Sequence, residues 1–203
     1  MNDIYPEAEA ERAYLIEVAD GARPFDKRAF YSGAVADAGT MEAIATSHRS
    51  GRHLHGRLKF ATIGASMIGR ARMDNLHWAV ETVLAEDVPG DIVECGVWRG
   101  GAMVFAKGVL DAHGSDRAVW LADSFEGLPA PDHPEDTVDL STPKYPMLAI
   151  SEDRVRTLFQ RLGLWDDRVH LLAGWFDDTL PTAPIDRIAV LRLDADYYAS
   201  TMT

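Results

Sequence analysis

Residues 90–101 read Gly90-Asp91-Ile92-Val93-Glu94-Cys95-Gly96-Val97-Trp98-Arg99-Gly100-Gly101, a short apolar run that stops at an acid and opens into glycines. The apolar run is typical of a buried parallel strand, and the glycines permit a tight turn with positive φ and a close approach of the backbone to a ligand. An apolar stripe at helical spacing follows over 102–112. Together these parts predict a strand, a glycine loop and a helix, the unit that binds ligands at the carboxyl edge of an open α/β sheet.

Later stretches predict the remaining strands of that sheet. They cover residues 118–123, 168–174 and 185–193. The second strand closes on Asp123, an acid that at this place commonly binds ribose hydroxyls, although Asp123 could instead cap the following turn. The fourth strand runs into Asp194 and Asp196. Two acids at the end of a buried strand need a cation, a donor or water, so a hard divalent metal and a helix cap at Asp196 are both open.

Composition narrows the class of protein. The chain has 203 residues, 47% hydrophobic and 26% charged, which predicts one soluble domain with a full core. A net charge of −12 argues against nucleic-acid and anionic-membrane partners. The single cysteine, Cys95, lies in the predicted first strand and leaves no disulfide framework or cysteine metal site. Without a signal peptide or a long apolar run, we expect a cytoplasmic protein.

Segments outside the predicted strands suggest an extension and a lid. Residues 6–20 predict an amphipathic helix outside the α/β repeat, which makes a homodimer plausible. The histidine-rich tract 47–57 is compatible with a metal site but is more typical of an exposed loop. The glycine-rich stretch 62–69 is either a plain loop or a flexible lid. We therefore divide the chain into an extension over 1–60 and a sheet domain over 61–203.

Two further stretches are candidates for lining a ligand site. Segment 129–146 holds five prolines, too many for a strand or a long helix, and insertions at this edge of a parallel sheet often shape substrate sites. Trp175 and Phe176 follow the third strand. They could wall an adenine pocket, although aromatic residues belong more often to the core.

The chain resembles the macrocin O-methyltransferase family, the TylF-type enzymes that tailor macrolides and aminocoumarins. Its glycine spacing, with Gly96 four residues before Gly100, departs from the G-x-G-x-x-G of dinucleotide-binding enzymes and fits the glycine loop of S-adenosylmethionine (SAM) methyltransferases better. The matching segments are 68–75, 88–101, 122–129, 174–176 and 191–198. The resemblance implies a class I methyltransferase fold, which is a Rossmann-like, doubly wound α/β sheet. It also implies SAM- and Mg²⁺-dependent methylation of a sugar hydroxyl on a glycosylated small molecule.

The resemblance also implies roles for the matched residues. The methionine end of SAM would contact Glu94, Cys95, Gly96, Val97, Trp98, Arg99, Gly100 and Gly101. Asp123, with Ser124 and Phe125, would bind the ribose, while Gly174, Trp175 and Phe176 would lie at the adenine end. Met67 would belong to the lid. Asp194, expected to be the deeper of the two late acids, would hold Mg²⁺ beside the cofactor, and Asp194 or Asp196 would receive the acceptor proton.

Family members continue past the fourth strand with a helix, a strand ending in two adjacent acids, and a hairpin, whereas this sequence ends at Thr203. We therefore expect an incomplete sheet and an incomplete metal site. The leading hypothesis is an O-methyltransferase of glycosylated natural products. The alternatives are a truncated SAM-binding protein without turnover and a nicotinamide-dependent oxidoreductase, which the glycine spacing disfavours.

Overall fold

The computed structural model describes residues 65–68 and 70–203, without the side chains of Arg70 and Met147. The extension predicted over 1–60, with its amphipathic helix and histidine-rich tract, lies outside these residues. So does part of the glycine-rich stretch, residues 62–64 and 69. Among the helices of the described part, none combines the length and hydropathy needed to cross a bilayer.

The described residues form an α/β fold. Its strands are β1 (Asp91–Cys95), β2 (Val119–Asp123), β3 (Val169–Ala173) and β4 (Ile188–Leu193). Its helices are α1 (Arg70–Ala85), α2 (Gly101–Ala112), α3 (Glu152–Arg161), α4 (Phe176–Thr179) and α5 (Tyr198–Met202), with short 3₁₀ turns at Pro146–Leu148 and Leu180–Thr182. The strand, glycine loop and helix predicted from residues 90–112 correspond to β1, the loop 96–100 and α2.

The four strands form one parallel sheet in the order β3-β2-β1-β4. The chain moves outward from β1 through β2 to β3 and then returns to place β4 on the other side of β1. Ligands in open α/β sheets bind outside the carboxyl ends of the strands where the order reverses in this way. The region outside the carboxyl ends of β1 and β4 is therefore where the topology places a site.

Apolar side chains pack on both faces of the sheet. The larger cluster includes Phe105, Leu110 and Phe159, and it joins α1, α2 and α3 to one face. The smaller cluster lies on the other face, where Phe176 and Leu180 pack against buried β1 and β2 residues. Each fully buried large apolar side chain contributes about 1.5–3 kcal/mol relative to exposure, so the first cluster is the main source of stability.

Helix α2 is buried on all sides from Gly101 to Leu110, and this burial includes a lysine. The Lys107 ammonium is 0% exposed and is held by the Asp111 carboxylate at 2.7 Å and the Asp166 carboxylate at 3.0 Å. Arg168 also pairs with both acids. The network compensates the buried charge and fastens α2 to the segment before β3.

Strand β4 was predicted to be a buried strand, and this prediction is wrong for the described residues. Leu191 and Leu193 are 51% and 52% exposed. The physical reason is that β4 is the last strand of the described sheet, with β1 as its neighbour on one side. Because Leu191 and Leu193 align with Val93 and Cys95, they belong to the face that carries the smaller cluster.

The end of β1 is packed closely against the end of β4 at Gly96. Gly96 has φ +88°, and a Cβ atom there would lie 2.1 Å from the Asp194 carbonyl oxygen. The Asp194 amide donates to the Cys95 carbonyl at 2.8 Å, which fixes the approach. Only a residue without a side chain fits this junction.

We expect Gly96→Ala to destabilise the protein much more than Gly114→Ala. Gly114 also has a positive φ, +65°, but a Cβ there meets nothing within 4 Å, so its substitution carries only backbone strain of about 1–2 kcal/mol. The backbone clash at Gly96 should add about 1–3 kcal/mol to that strain. Urea unfolding of the two variants measures the difference. Equal losses would show that the β1–β4 junction relaxes freely.

Candidate functional site

The glycine loop begins the site at the carboxyl end of β1. Gly101, the first residue of α2, donates its amide to the Ala65 carbonyl at 3.1 Å. A Cβ at Gly101 would lie 2.3 Å from the same oxygen, so the lid stretch crosses the helix start in close contact. Met67, the predicted lid residue, is half-buried two residues further on. The structure thus brings residues 65–68 to the glycine loop, and the lid role stays a prediction.

The Asp123 carboxylate ties the glycine loop to the end of β2. Its Oδ2 accepts from the Val97 amide at 2.7 Å and the Trp98 amide at 3.3 Å, while its Oδ1 accepts from the Phe125 amide at 2.9 Å. Asp123 therefore caps the turn after β2, the role that the sequence left open. A carboxylate oxygen has about two acceptor sites, so Oδ1 keeps one for a ligand. The ribose role stays a prediction.

Residues on either side of Asp123 have local structural roles. Ser124 Oγ donates to the Gly127 carbonyl at 2.8 Å within the turn. Phe125 is buried with φ +56°. In the glycine loop, the Arg99 guanidinium lies 4.5 Å from the centre of the Trp98 ring. These contacts hold the loop and turn in one conformation.

Glu94, the last acid of β1, is almost completely buried and faces an arginine that the sequence reading did not single out. Arg192 is its register neighbour on β4. The Arg192 Nη1 atom donates to Glu94 Oε1 at 2.5 Å, and its Nη2 atom donates to Asp194 Oδ2 at 2.7 Å. The signal that could have revealed Arg192 is a charged residue inside the apolar run that precedes two acids.

The buried Glu94 carboxyl carries a second unusual feature. Burial raises its pKa to about 8, and the nearby Asp194 adds to this rise while the Arg192 guanidinium opposes it. Oxygen Oε2 is buried and has no hydrogen-bond partner among the described residues. An unsatisfied buried oxygen costs about 1–3 kcal/mol or more, which makes it a natural acceptor for a ligand donor.

The two late acids differ from the sequence expectation. Asp194 was expected to be the deeper one, but its side chain is 43% exposed and paired with Arg192. The strand ends at Leu193 and Asp196 has φ +62°, so the extended conformation that would align the two acids does not persist. Desolvation, helped by Asp194 and Asp123, raises the pKa of Asp196 to about 6.

The expected magnesium site does not fit the described residues. No three His, Cys, Asp or Glu side chains in this part of the chain come together as a metal-binding group. A hard cation needs about six oxygen ligands, and the proposed ligand Asp194 already accepts a guanidinium. Magnesium binding therefore stays a prediction from the resemblance.

The candidate adenine residues Trp175 and Phe176 differ in their exposure to solvent. The Gly174 amide donates to the Asp123 carbonyl at 2.9 Å, which places the start of the β3–α4 turn beside the end of β2. Trp175 is 45% exposed there, whereas Phe176 packs into the smaller core cluster with Cys95. Trp175 is thus available to a ligand, while Phe176 and Cys95 have packing roles.

The proline-rich insertion reaches the same edge of the sheet. The Leu140 amide donates to the Tyr197 hydroxyl at 2.8 Å, and Asp136 Oδ1 accepts from the Tyr198 amide at 2.8 Å. The His133 and Tyr198 rings stack with centres 4.3 Å apart. The insertion therefore packs on the segment that follows β4, next to the late acids, as expected for a segment that shapes a substrate site.

The glycine loop and the acids at the ends of β1, β2 and β4 lie at the carboxyl edge of a doubly wound α/β sheet, the edge at which proteins of this class bind ligands. The family described as macrocin-O-methyltransferase (TylF) matches residues 20–203, and the chain belongs to this family. The predicted resemblance and fold class are confirmed.

Curated relatives and a solved structure support the same assignment. The chain is 51% identical over 144 residues to 8-demethyl-8-(2,3-dimethoxy-alpha-L-rhamnosyl)-tetracenomycin-C 4'-O-methyltransferase of Streptomyces olivaceus, which covers 69% of this chain and 55% of that protein. It is 48% identical over 150 residues to mycinamicin III 3''-O-methyltransferase of Micromonospora griseorubida, with coverage of 70% and 59%. The O-methyltransferase NovP superposes with a TM-score of 0.72 at 38% identity, covering 95% of this chain and 75% of NovP. The chain thus spans just over half the length of these curated relatives.

The raised pKa of Glu94 predicts a pH-dependent stability. Because the folded protein holds this proton up to about pH 8 and the unfolded chain loses it near the ordinary value of 4.5, stability should fall as pH rises between these values. Glu94→Gln removes this term. We expect its free energy of unfolding relative to wild type to rise with pH, by up to about 1.4 kcal/mol per pH unit. Urea unfolding at pH 5.5, 6.5 and 7.5 measures it, and a constant difference would contradict the raised pKa.

Proposed function

We propose that this chain carries the cofactor-binding part of a SAM-dependent O-methyltransferase that methylates a sugar hydroxyl of a glycosylated natural product. The observation that carries the proposal is the buried Glu94 with an unpartnered oxygen, placed between the glycine loop and β4. Family membership supports the reaction class. The relatives' names, which specify O-methylation of a rhamnosyl tetracenomycin and of mycinamicin III, support the substrate class.

The residues at the edge of the sheet fit SAM chemically. When bound, SAM supplies an electrophilic methyl group on a sulfonium, and it also carries an amino group that donates hydrogen bonds. Glu94 Oε2 is a buried oxygen that accepts from that amino group once the carboxyl has lost its proton, and the glycine loop allows the backbone to approach the methionine end. In this proposal Asp123 Oδ1 accepts from a ribose hydroxyl, Trp175 lies against the adenine and Met67 belongs to the lid.

The acceptor hydroxyl must lose a proton as its oxygen takes the methyl group. Asp196 follows β4 at the carboxyl edge of the sheet, and its pKa of about 6 places it close to the range in which a general base works well. The His133 ring of the insertion stacks on Tyr198, which follows Asp196 by two residues. We assign Asp196 as the base and Asp194 as a residue that orients the acceptor, and no step is routed through Mg²⁺, whose site the described residues do not fit.

A second candidate function is SAM binding without turnover. The observation that favours it is that Asp194, the expected metal ligand, is already paired with the Arg192 guanidinium. Binding of S-adenosylhomocysteine (SAH) without methyl transfer to any glycosylated acceptor would support this candidate. A cytoplasmic location, a homodimer and the absence of nucleic-acid or membrane partners stay predictions.

Calorimetric titration with SAH tests the cofactor proposal at Asp123. We expect wild type to bind SAH and not NAD. Asp123→Ala should weaken SAH binding by roughly 1.5–3 kcal/mol, because that is about what one hydrogen bond to a charged group contributes.

A matched ligand separates ribose binding from loop support. For an SAH analogue that lacks both ribose hydroxyls, Asp123→Ala should change affinity far less than for SAH. Equal losses for both ligands would show that Asp123 acts only through the loop amides. A wild-type chain that does not bind SAH would refute the cofactor proposal itself.

Turnover by a protein extended to the relatives' full length tests the late acids. We expect Asp196→Asn and Asp194→Asn each to reduce methyl transfer strongly while leaving SAH affinity within about threefold, or roughly 0.7 kcal/mol. Thr201→Ala, on the following helix, is a control that should remain active. Full activity of Asp196→Asn would remove it as the base.

A further inference from the structure

We infer that Arg192 is a positioning residue that sets the cofactor-side acid and the acceptor-side acid relative to one another. The inference rests on the proposed function. It concerns Arg192 of β4, to which neither the strand pattern nor the matched motif gave a role. Arg192 Nη1 donates to Glu94 Oε1 at 2.5 Å, and Nη2 donates to Asp194 Oδ2 at 2.7 Å. Its guanidinium therefore bridges β1 and β4 where the strand order reverses.

The chemistry of the bridge requires a guanidinium. The group is planar, and its two terminal nitrogens have a fixed separation, so binding one carboxylate with each nitrogen fixes the spacing of the two acids. A lysine ammonium has a single nitrogen on a flexible stem and cannot impose that spacing. The Arg192 side chain is 14% exposed and Glu94 is 1% exposed, so little water competes for the Glu94 contact.

The bridge also determines which oxygens are left for ligands. On Glu94, Arg192 occupies Oε1, and the buried Oε2 has no partner among the described residues. On Asp194, Arg192 occupies Oδ2, and the side chain is 43% exposed. We assign Glu94 Oε2 to the amino group of the cofactor. Arg192 then acts on the cofactor through Glu94 and not by direct contact.

A double-mutant cycle with SAH titration tests this assignment. The variants are Glu94→Gln, Arg192→Met and their combination. Arg192→Met should weaken SAH binding about tenfold, or roughly 1.4 kcal/mol. Glu94→Gln should weaken it similarly, and the double variant should be no weaker than the weaker of the two single variants. Arg192→Lys should give an intermediate affinity, since one of the two contacts can be kept.

A second ligand distinguishes positioning from a general loss of structure. With the SAH analogue that lacks the α-amino group, wild type and Arg192→Met should bind with nearly equal affinity. A structural collapse would weaken both ligands in parallel. Arg187→Met, on a side chain that is 66% exposed before β4, is the matched control and should bind both ligands as wild type does.

The SAH affinities of these variants distinguish positioning by Arg192 from direct contact of Arg192 with the ligand. Additive losses in the double variant would mean that Arg192 contacts the ligand independently of Glu94, and this would overturn the inference. Unchanged SAH affinity in Arg192→Met would overturn it as well. If Arg192→Met does not fold, SAH affinity is compared instead among Glu94→Gln, Arg192→Lys and the double variant Glu94→Gln/Arg192→Met, in which no buried charge is left unpaired. Failure of wild type to bind SAH would refute the proposed function first, and the inference with it.

Discussion

Burial of a carboxyl group at the end of β1 is the constraint on which the site depends. Glu94 is 1% exposed, and an acid in that position requires a donor that reaches it inside the protein. Strand β4 supplies the donor because its parallel register places Arg192 beside Glu94. The topology that brings β4 back next to β1 therefore also gives one oxygen of the Glu94 carboxyl group, Oε1, its hydrogen-bond donor. The other oxygen, Oε2, has no hydrogen-bond partner among the described residues.

The carboxyl edge of the sheet also holds features that destabilise the folded protein, namely acids close to one another and a strained backbone. Asp123 and Asp194 both raise the pKa of Glu94 and of Asp196, and Asp196 has a left-handed backbone conformation. Such strain and like-charge proximity are usual where a protein binds or transforms a ligand. The large core cluster under α1, α2 and α3 supplies the stability that tolerates this arrangement. A cationic donor such as SAM would relieve part of the repulsion.

Much of this organisation could be predicted from sequence. Apolar runs bounded by glycines and acids indicated the strands, and the glycine pattern distinguished the loop from a dinucleotide fingerprint. Exposure of β4 could not be predicted, because a run such as residues 188–193 looks the same in a central strand and in an edge strand. The depth of Asp194 and the role of Arg192 depended on strand register, which no local pattern encodes. Phe176 and Trp175 are adjacent in sequence, and only the structure shows that Phe176 packs in the smaller cluster while Trp175 is 45% exposed.

The central claim is that the carboxyl edge between β1, β2 and β4 holds the cofactor, and a crystal structure of this chain grown with SAH tests it most directly. The account predicts density for the homocysteine amino group beside Glu94 Oε2, with the glycine loop along the chain and the ribose beside Asp123. Density elsewhere, for example in the open pocket lined by Glu81, His113 and Arg117 at the opposite edge, would contradict it. So would SAH bound at the predicted edge with its amino group away from Glu94.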